Sequence, residues 1–336
     1  MRRPLHVHRR VPSGLALVLG SLAIAVASAE ETATSADDLP ASHSVAPQLY
    51  ATGFAFAEGP TFDRQGNLYV VNYRVIGTIG RITRDGTANI LCHLAELAPM
   101  ENREPRANGL KVDSEGRLIV ADSGGGRLLR ISLDGEKCEI LADRYQGERF
   151  RSLNDAALDL AGNIYFTDPG GSSLSNPVGA VYRYNVDTKK VERIDAGLAF
   201  PNGLGVTPDQ SKLCVCESQR YRLLVYPMSE EGDVGERSVL MEFPKEDDGE
   251  IRGGAFEPDG VIFDEAGRLY VAMWTGGVVN VVCPETGKLL RQYDAGGSRA
   301  TNVHFFGESL YTTVAAKEAV FRLPLGVRGF AYNGPD

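Results

Sequence analysis

The chain has 336 residues, a formal charge of −9 and five cysteines, with 43% hydrophobic residues. An acidic balance with no basic cluster in its body argues against nucleic acid and against anionic membrane surfaces as partners. The length suits one large all-β domain as well as two smaller ones.

At the amino terminus, Arg2, Arg3, Arg9 and Arg10 form a basic segment, Leu15–Ala27 is apolar, and Ala27-Ser28-Ala29 fits a signal-peptidase site. Residues 1–29 therefore read as a signal peptide, the apolar run being short for a membrane span. The expected location is periplasmic or secreted. Without that segment, which holds four Arg and no acid, −9 becomes −13. Residues 30–47 are small and polar and read as a linker, leaving 48–330 as one domain. Five Cys is an odd number for an exported chain. Cys214 and Cys216 lie two apart on one strand face, poor geometry for a bridge, and Cys92, Cys138 and Cys283 fall in different repeats. Most are expected to be small buried hydrophobes.

From residue 48 onward one motif recurs, Asp/Pro-x-x-Gly-x-Leu-Tyr-Val: at Asp63–Val70, Asp113–Val120, Asp159–Phe166, Pro208–Val215, Asp264–Val271 and, worn, at Phe306–Tyr311. Its central aliphatics, Leu68, Leu118, Ile164, Leu213, Leu269 and Leu310, are 50, 46, 49, 56 and 41 residues apart. An apolar strand precedes each motif, and a third strand and a hairpin turn such as Asp85-Gly86 or Asp134-Gly135 follow. Four short strands repeated every 40–50 residues predict an all-β fold, a six-bladed β-propeller of four-stranded antiparallel blades. Gln48–Phe54 has no hairpin partner of its own and is expected to complete the last blade beside Val320–Leu323. No helix is predicted beyond a short turn near Leu94–Met100.

Before each motif stands one polar residue: Glu58, Asn108, Asn154, Asn202, Asp259 and Asn302. Equivalent positions in a propeller surround one axis. Glu58, Asn154, Asn202 and Asp259 would then bring two carboxylates and two amide oxygens together, and such acids repel unless a cation lies between them. All-oxygen donors select a hard cation, Ca²⁺ first and Mg²⁺ or Mn²⁺ next, with Zn²⁺ less suited. Taken singly, Asn-Gly at 108 and 202 and Asp-Gly at 259 are ordinary turn dipeptides. Their recurrence in register is what points to a shared site. His304 falls two residues beyond its polar position, as do Pro60, Leu110, Ala156, Leu204 and Val261, so it is expected in a packing wall. There is no Gly-x-Ser-x-Gly elbow for serine-type acyl transfer.

The ordered series Phe56-Ala-Glu-Gly-Pro, Ala107-Asn-Gly-Leu, Leu153-Asn-Asp with Tyr165-Phe-Thr-Asp-Pro, Phe200-Pro-Asn-Gly-Leu, Pro258-Asp-Gly-Val and Ala300-Thr-Asn-Val resembles the regucalcin/gluconolactonase/luciferin-regenerating-enzyme family from about residue 50 to 325. The resemblance implies a monomeric metal-dependent lactonase acting on a small sugar lactone, with one divalent cation at the top of the channel. By that resemblance Glu58, Asn202 and Asp259 match metal ligands, Asn154 matches an Asn that contacts metal or substrate, and Asp259 also matches an acid/base. A carboxylate bound to a cation is a poorer base, which makes Asp155 the alternative. Asn108, Asn154, Asp155 and Asn302 are candidate substrate contacts. Where some members carry Arg two residues before Asn154, this chain has Ser152, with Arg151 one place off. The alternatives are a calcium-stabilised propeller that binds a carbohydrate without catalysis, or a hydrolase of another ester class. The long polar loops Leu94–Arg106 and Phe243–Glu257 precede Asn108 and Asp259 and are placed to shape access.

Overall fold

The six copies of the repeat fold as six four-stranded antiparallel sheets in this computed structural model, which describes residues 34–75, 77–245 and 257–332. The expected signal peptide lies outside the described residues. Blade 1 comprises Ala57–Phe62, Leu68–Asn72, Thr78–Ile82 and Ala88–His93. Blades 2 to 5 repeat that order, with innermost strands Ala107–Val112, Ala156–Leu158, Pro201–Val206 and Pro258–Phe263. Blade 6 takes Ala300–Phe306, Ser309–Val314 and Ala319–Pro324 from the carboxyl-terminal end and Gln48–Thr52 from the amino-terminal end. Gln48 pairs with Arg322 and Thr52 with Ala319, which closes the ring as expected. The innermost strands touch in ring order and bound one central channel.

The Asp-x-x-Gly turns follow from local chemistry. Asp63 accepts the backbone N–H of Asn67 at 2.9 Å, and Asp113, Asp159 and Asp264 do the same for the residue four places on. The glycine takes the left-handed conformation that other residues avoid, with φ of 83° at Gly66 and 84° at Gly162. Tyr69 and Tyr270 in the next strand donate their hydroxyls to the same Asp, each at 3.0 Å. Blade 4 lacks the Asp, and there the Thr207 hydroxyl accepts from the backbone of Lys212 while Gln210 takes the left-handed position.

Six apolar clusters form, one between each neighbouring pair of blades. Inner strands are buried on both faces, whereas an outer strand such as Ala88–His93 is largely exposed. All five cysteines are free, four of them buried. Burial pushes the thiols of Cys92 and Cys214 up to about 12, so neither offers a reactive thiolate near neutral pH.

Two segments outside the blades cover the ring. Residues 34–47, linker-like in composition, are packed on blade 5: Ala36 and Leu39 are buried, and Asp38 pairs with the buried Arg268. At the carboxyl-terminal end, Phe330 donates its N–H to the Phe263 carbonyl and the Tyr332 hydroxyl donates to the Val206 carbonyl. This segment lines one end of the channel. The only α-helix among the described residues is the single turn Leu94–Leu97.

Candidate active site

At the opposite end of the channel a cleft of about 250 Å³ is lined by Glu58, Asn108, Asn154, Asn202 and Asp259, together with Phe56, Tyr73, Phe200, Glu257 and Trp274. Four of the five polar residues are the second residue of an innermost strand, and Asn154 stands two residues before its strand. All are buried except the half-buried Asn154. Burial, and then the Asp155 charge, pushes the Glu58 carboxyl up to about 8. Asp259 is raised well above the ordinary range, first by burial and then by Glu58 and Asp155. The pair is costly to ionise without a counter-charge, and its all-oxygen surroundings suit a hard divalent cation. Among the described residues no three His, Cys, Asp or Glu side chains gather as a metal cluster. Amide oxygens of Asn154 and Asn202 would have to complete the coordination.

Four of these five strands, all but that of blade 3, break register just after entering their sheets, between Ala107 and Leu110 for instance, and between Pro258 and Val261. Such a bulge lets consecutive residues address the axis. One level below the ring stand Gly59, Gly109, Asp155, Gly203, Gly260 and Asn302. The glycines are sterically required: a Cβ on Gly109 would lie 2.2 Å from Asp155 Oδ1, and one on Gly260 would lie 2.1 Å from Asn302 Cγ. Asn302 donates to Asp155 Oδ2 at 3.0 Å across the channel. Asp155 Oδ1 accepts the N–H of Ala156 at 2.8 Å and lies 3.9 Å from Lys111 Nζ.

Asn302 is therefore not on the level of the other five, as its sequence position suggested. Thr301 occupies that level and donates to the Ala57 carbonyl at 2.9 Å. The register break of blade 6 falls between Ala300 and Asn302, and a tight turn joins Phe306 to Ser309, so counting back from Leu310 misplaces the residue by one. A one-residue slip also changes which face a strand residue presents. His304 accordingly leaves the expected packing wall and faces the lower channel beside Lys111. Its Nδ1 donates to the Phe305 carbonyl at 2.8 Å, leaving Nε2 to accept from the Thr61 hydroxyl at 3.3 Å. Burial holds its pKa down at about 3, so the ring is neutral.

Asp155 lies below the cleft with its oxygens engaged, which places Asp259 better for contact with a bound molecule. Arg151 points away, its guanidinium donating to the Val178 carbonyl. Asp122, which begins Asp122-Ser123-Gly124, is fully buried and accepts from the backbone of Arg106 and the side chain of Arg127. Lys111 and the aromatic wall were not found from the sequence. Lys111 carried one signal, a charge inside an otherwise apolar inner strand. The wall comes from three separate loops and carried none.

The SMP-30/Gluconolactonase/LRE-like region matches residues 56–316. Gluconolactonase of Zymomonas mobilis is 30% identical over 239 residues, 67% of this chain and 66% of that enzyme, so the chain spans about two thirds of its length. Diisopropyl-fluorophosphatase of Loligo vulgaris is 28% identical over 295 residues, 79% of this chain and 88% of that enzyme. Among solved structures, luciferin-regenerating enzyme superposes with a TM-score of 0.72 at 22% identity, covering 85% of this chain and 98% of that one. A gluconolactonase from Xanthomonas campestris gives 0.70 at 24% identity, covering 87% and 96%. With five of the six sequence-predicted residues gathered in one cleft and the match running from blade 1 to blade 6, the chain belongs to the SMP-30/gluconolactonase/LRE-like family.

Proposed function

We propose that this protein hydrolyses a sugar lactone, using a divalent cation, Ca²⁺ first among the candidates, held by Glu58, Asn154, Asn202 and Asp259. The observation that carries the reading is the cleft itself, where two buried carboxyls with raised pKa values share a sugar-sized space with three amides. The gluconolactonase and pentonolactonase among its relatives support the reaction class. A cation there would polarise the lactone carbonyl and stabilise the charge that develops on its oxygen. Asn108 is placed to accept or donate a hydrogen bond to a ring hydroxyl. Asp259 takes the proton of the attacking water and returns one to the leaving ring oxygen. Burial first, and then the neighbouring Glu58 and Asp155, raises the Asp259 carboxyl, the direction a general base needs.

The test is the initial rate of glucono-1,5-lactone opening on chelator-treated protein, before and after Ca²⁺ is restored. Activity that returns with the cation supports the reading. No activity in either state, with Ca²⁺ still raising the melting temperature, favours a binding propeller. A second substrate class follows from the Loligo relative, named for a fluorophosphate substrate, and a phosphorus ester belongs in the same assay. The leader read from the sequence puts this activity outside the cytoplasm, which fractionation of producing cells would check.

A further inference from the structure

The lower end of the channel holds a second cavity, of about 180 Å³, on the far side of the Asn302–Asp155 contact from the cleft. Its wall is aliphatic where the inner strands supply Val112, Leu158 and Leu204, and aromatic where Phe62, Phe306 and Phe330 line it. Phe62 and Phe306 stack, with ring centroids 4.8 Å apart and planes 14° from parallel. An apolar cavity of about 150 Å³ takes up a benzene-sized molecule, so this one suits a single small ring.

Two polar groups stand in that apolar wall. Lys111 is buried, its side chain 9% exposed, and its Nζ has no hydrogen-bond partner. Asp155 Oδ1, at 3.9 Å, is beyond hydrogen-bond reach and already accepts from Ala156. Buried N–H bonds of this kind are costly unless an acceptor reaches them. His304 supplies the complement. Its Nδ1 donates to the Phe305 carbonyl, which makes Nε2 an acceptor. That nitrogen takes the Thr61 hydroxyl at 3.3 Å, well beyond the usual O–H reach of about 2.8 Å. The other charged residues of the wall add no net demand. Asp63 is engaged by Asn67 and Tyr69, and the exposed Glu265 and Arg328 are of opposite sign.

These groups discriminate among ligands. The Lys111 ammonium repels a metal cation, and a carboxylate would meet both Asp155 and the lone pair of His304 Nε2. A hydroxyl, by contrast, can accept from Lys111 and donate to His304. An aromatic ring carrying that hydroxyl matches the phenylalanine wall. We propose that the lower channel is a binding site for a small phenol, with its hydroxyl on Lys111 Nζ and His304 Nε2 and its ring among Phe62, Phe306 and Phe330. The site is separate from the cleft, and it does not depend on the reaction assigned there.

The test is calorimetric titration of the Ca²⁺-loaded protein with phenol, toluene and benzoate, which share a ring and differ in the polar group. Phenol should bind at least roughly tenfold more tightly than either of the others. Lys111→Met and His304→Phe, both close in volume, should each cut the preference for phenol over toluene by roughly tenfold and leave toluene binding in place. Trp274, the one tryptophan of the chain, lines the cleft and not this cavity, so phenol should leave its indole N–H resonance unmoved. The ligand series and the Trp274 signal are read on the wild-type chain, so they decide the matter even where a variant fails to fold. Absence of phenol binding, equal affinity for phenol and toluene, tighter binding of benzoate, a preference unchanged in both variants, or a phenol-dependent shift of Trp274 would each overturn the proposal.

Discussion

Asn302 and Asp155, from opposite sides of the ring, meet across the channel axis with Asn302 Nδ2 donating to Asp155 Oδ2 at 3.0 Å. Both are buried, and their contact forms the floor beneath the cleft. Replacing Asn302 with Ala leaves a buried carboxylate short of a donor, which costs about 1–3 kcal/mol. Urea titration of the Asn302→Ala variant should show that loss. A midpoint equal to wild type would mean that the pair contributes nothing to the fold.

Asp259→Asn keeps the shape and the hydrogen-bonding edge of the side chain but removes its basicity. The expected result is an intact fold by circular dichroism and a kcat reduced by roughly 10²-fold or more. Near-normal rates would move the base elsewhere.

The raised carboxyl of Glu58 sets the pH response of metal-free protein. Its folded value of about 8 lies above the ordinary 4.5, chiefly because of burial. The folded state therefore holds a proton that the unfolded chain releases. The associated stability is full below about pH 4.5 and is lost as pH rises through about 8. Melting temperatures of chelated protein should fall across that window. Ca²⁺ should raise them more at the alkaline end, where no proton has to be displaced. A calcium effect independent of pH would separate Glu58 from the cation.

Gly260→Ala would push a Cβ into Asn302, at 2.1 Å from its Cγ. Gly116→Ala meets only Leu133, at 3.9 Å, but occupies a backbone with φ of 74°. The second change should cost about 1–2 kcal/mol of backbone strain and leave Ca²⁺ affinity alone. The first should weaken Ca²⁺ binding as well, because it displaces the floor below Asp259. Equal calcium titrations for the two variants would contradict this.

The ring was legible because the turn motif that builds it is local: an Asp that accepts the N–H four residues on and a glycine with positive φ. Glu58, Asn108, Asn154 and Asp259 were legible for the same reason, each standing five residues before that Asp, and Asn202 stands six before the Pro208 that replaces it. The offset failed in blade 6, where the turn is shorter. Ala300-Thr301-Asn302 then supplied two polar candidates, and the conspicuous one was a residue too late. His304 became axial through the register break of blade 6, and Lys111 through that of blade 2. The rim of Phe56, Tyr73 and Trp274 is a tertiary contact among loops with no common pattern, so periodicity could not reveal it.

The clasp of blade 6 has a bearing on synthesis. Gln48 emerges from the ribosome 274 residues before its partner Arg322. The entropy of joining such distant segments grows only slowly with their separation, but the wait is long. Glu58 stands at the seam this clasp seals, while Asp259 belongs to a blade completed much later. A nascent chain therefore has most of its blades before it has a functional cleft, and a product cut short before Ala319 would carry the chemical groups without their enclosure.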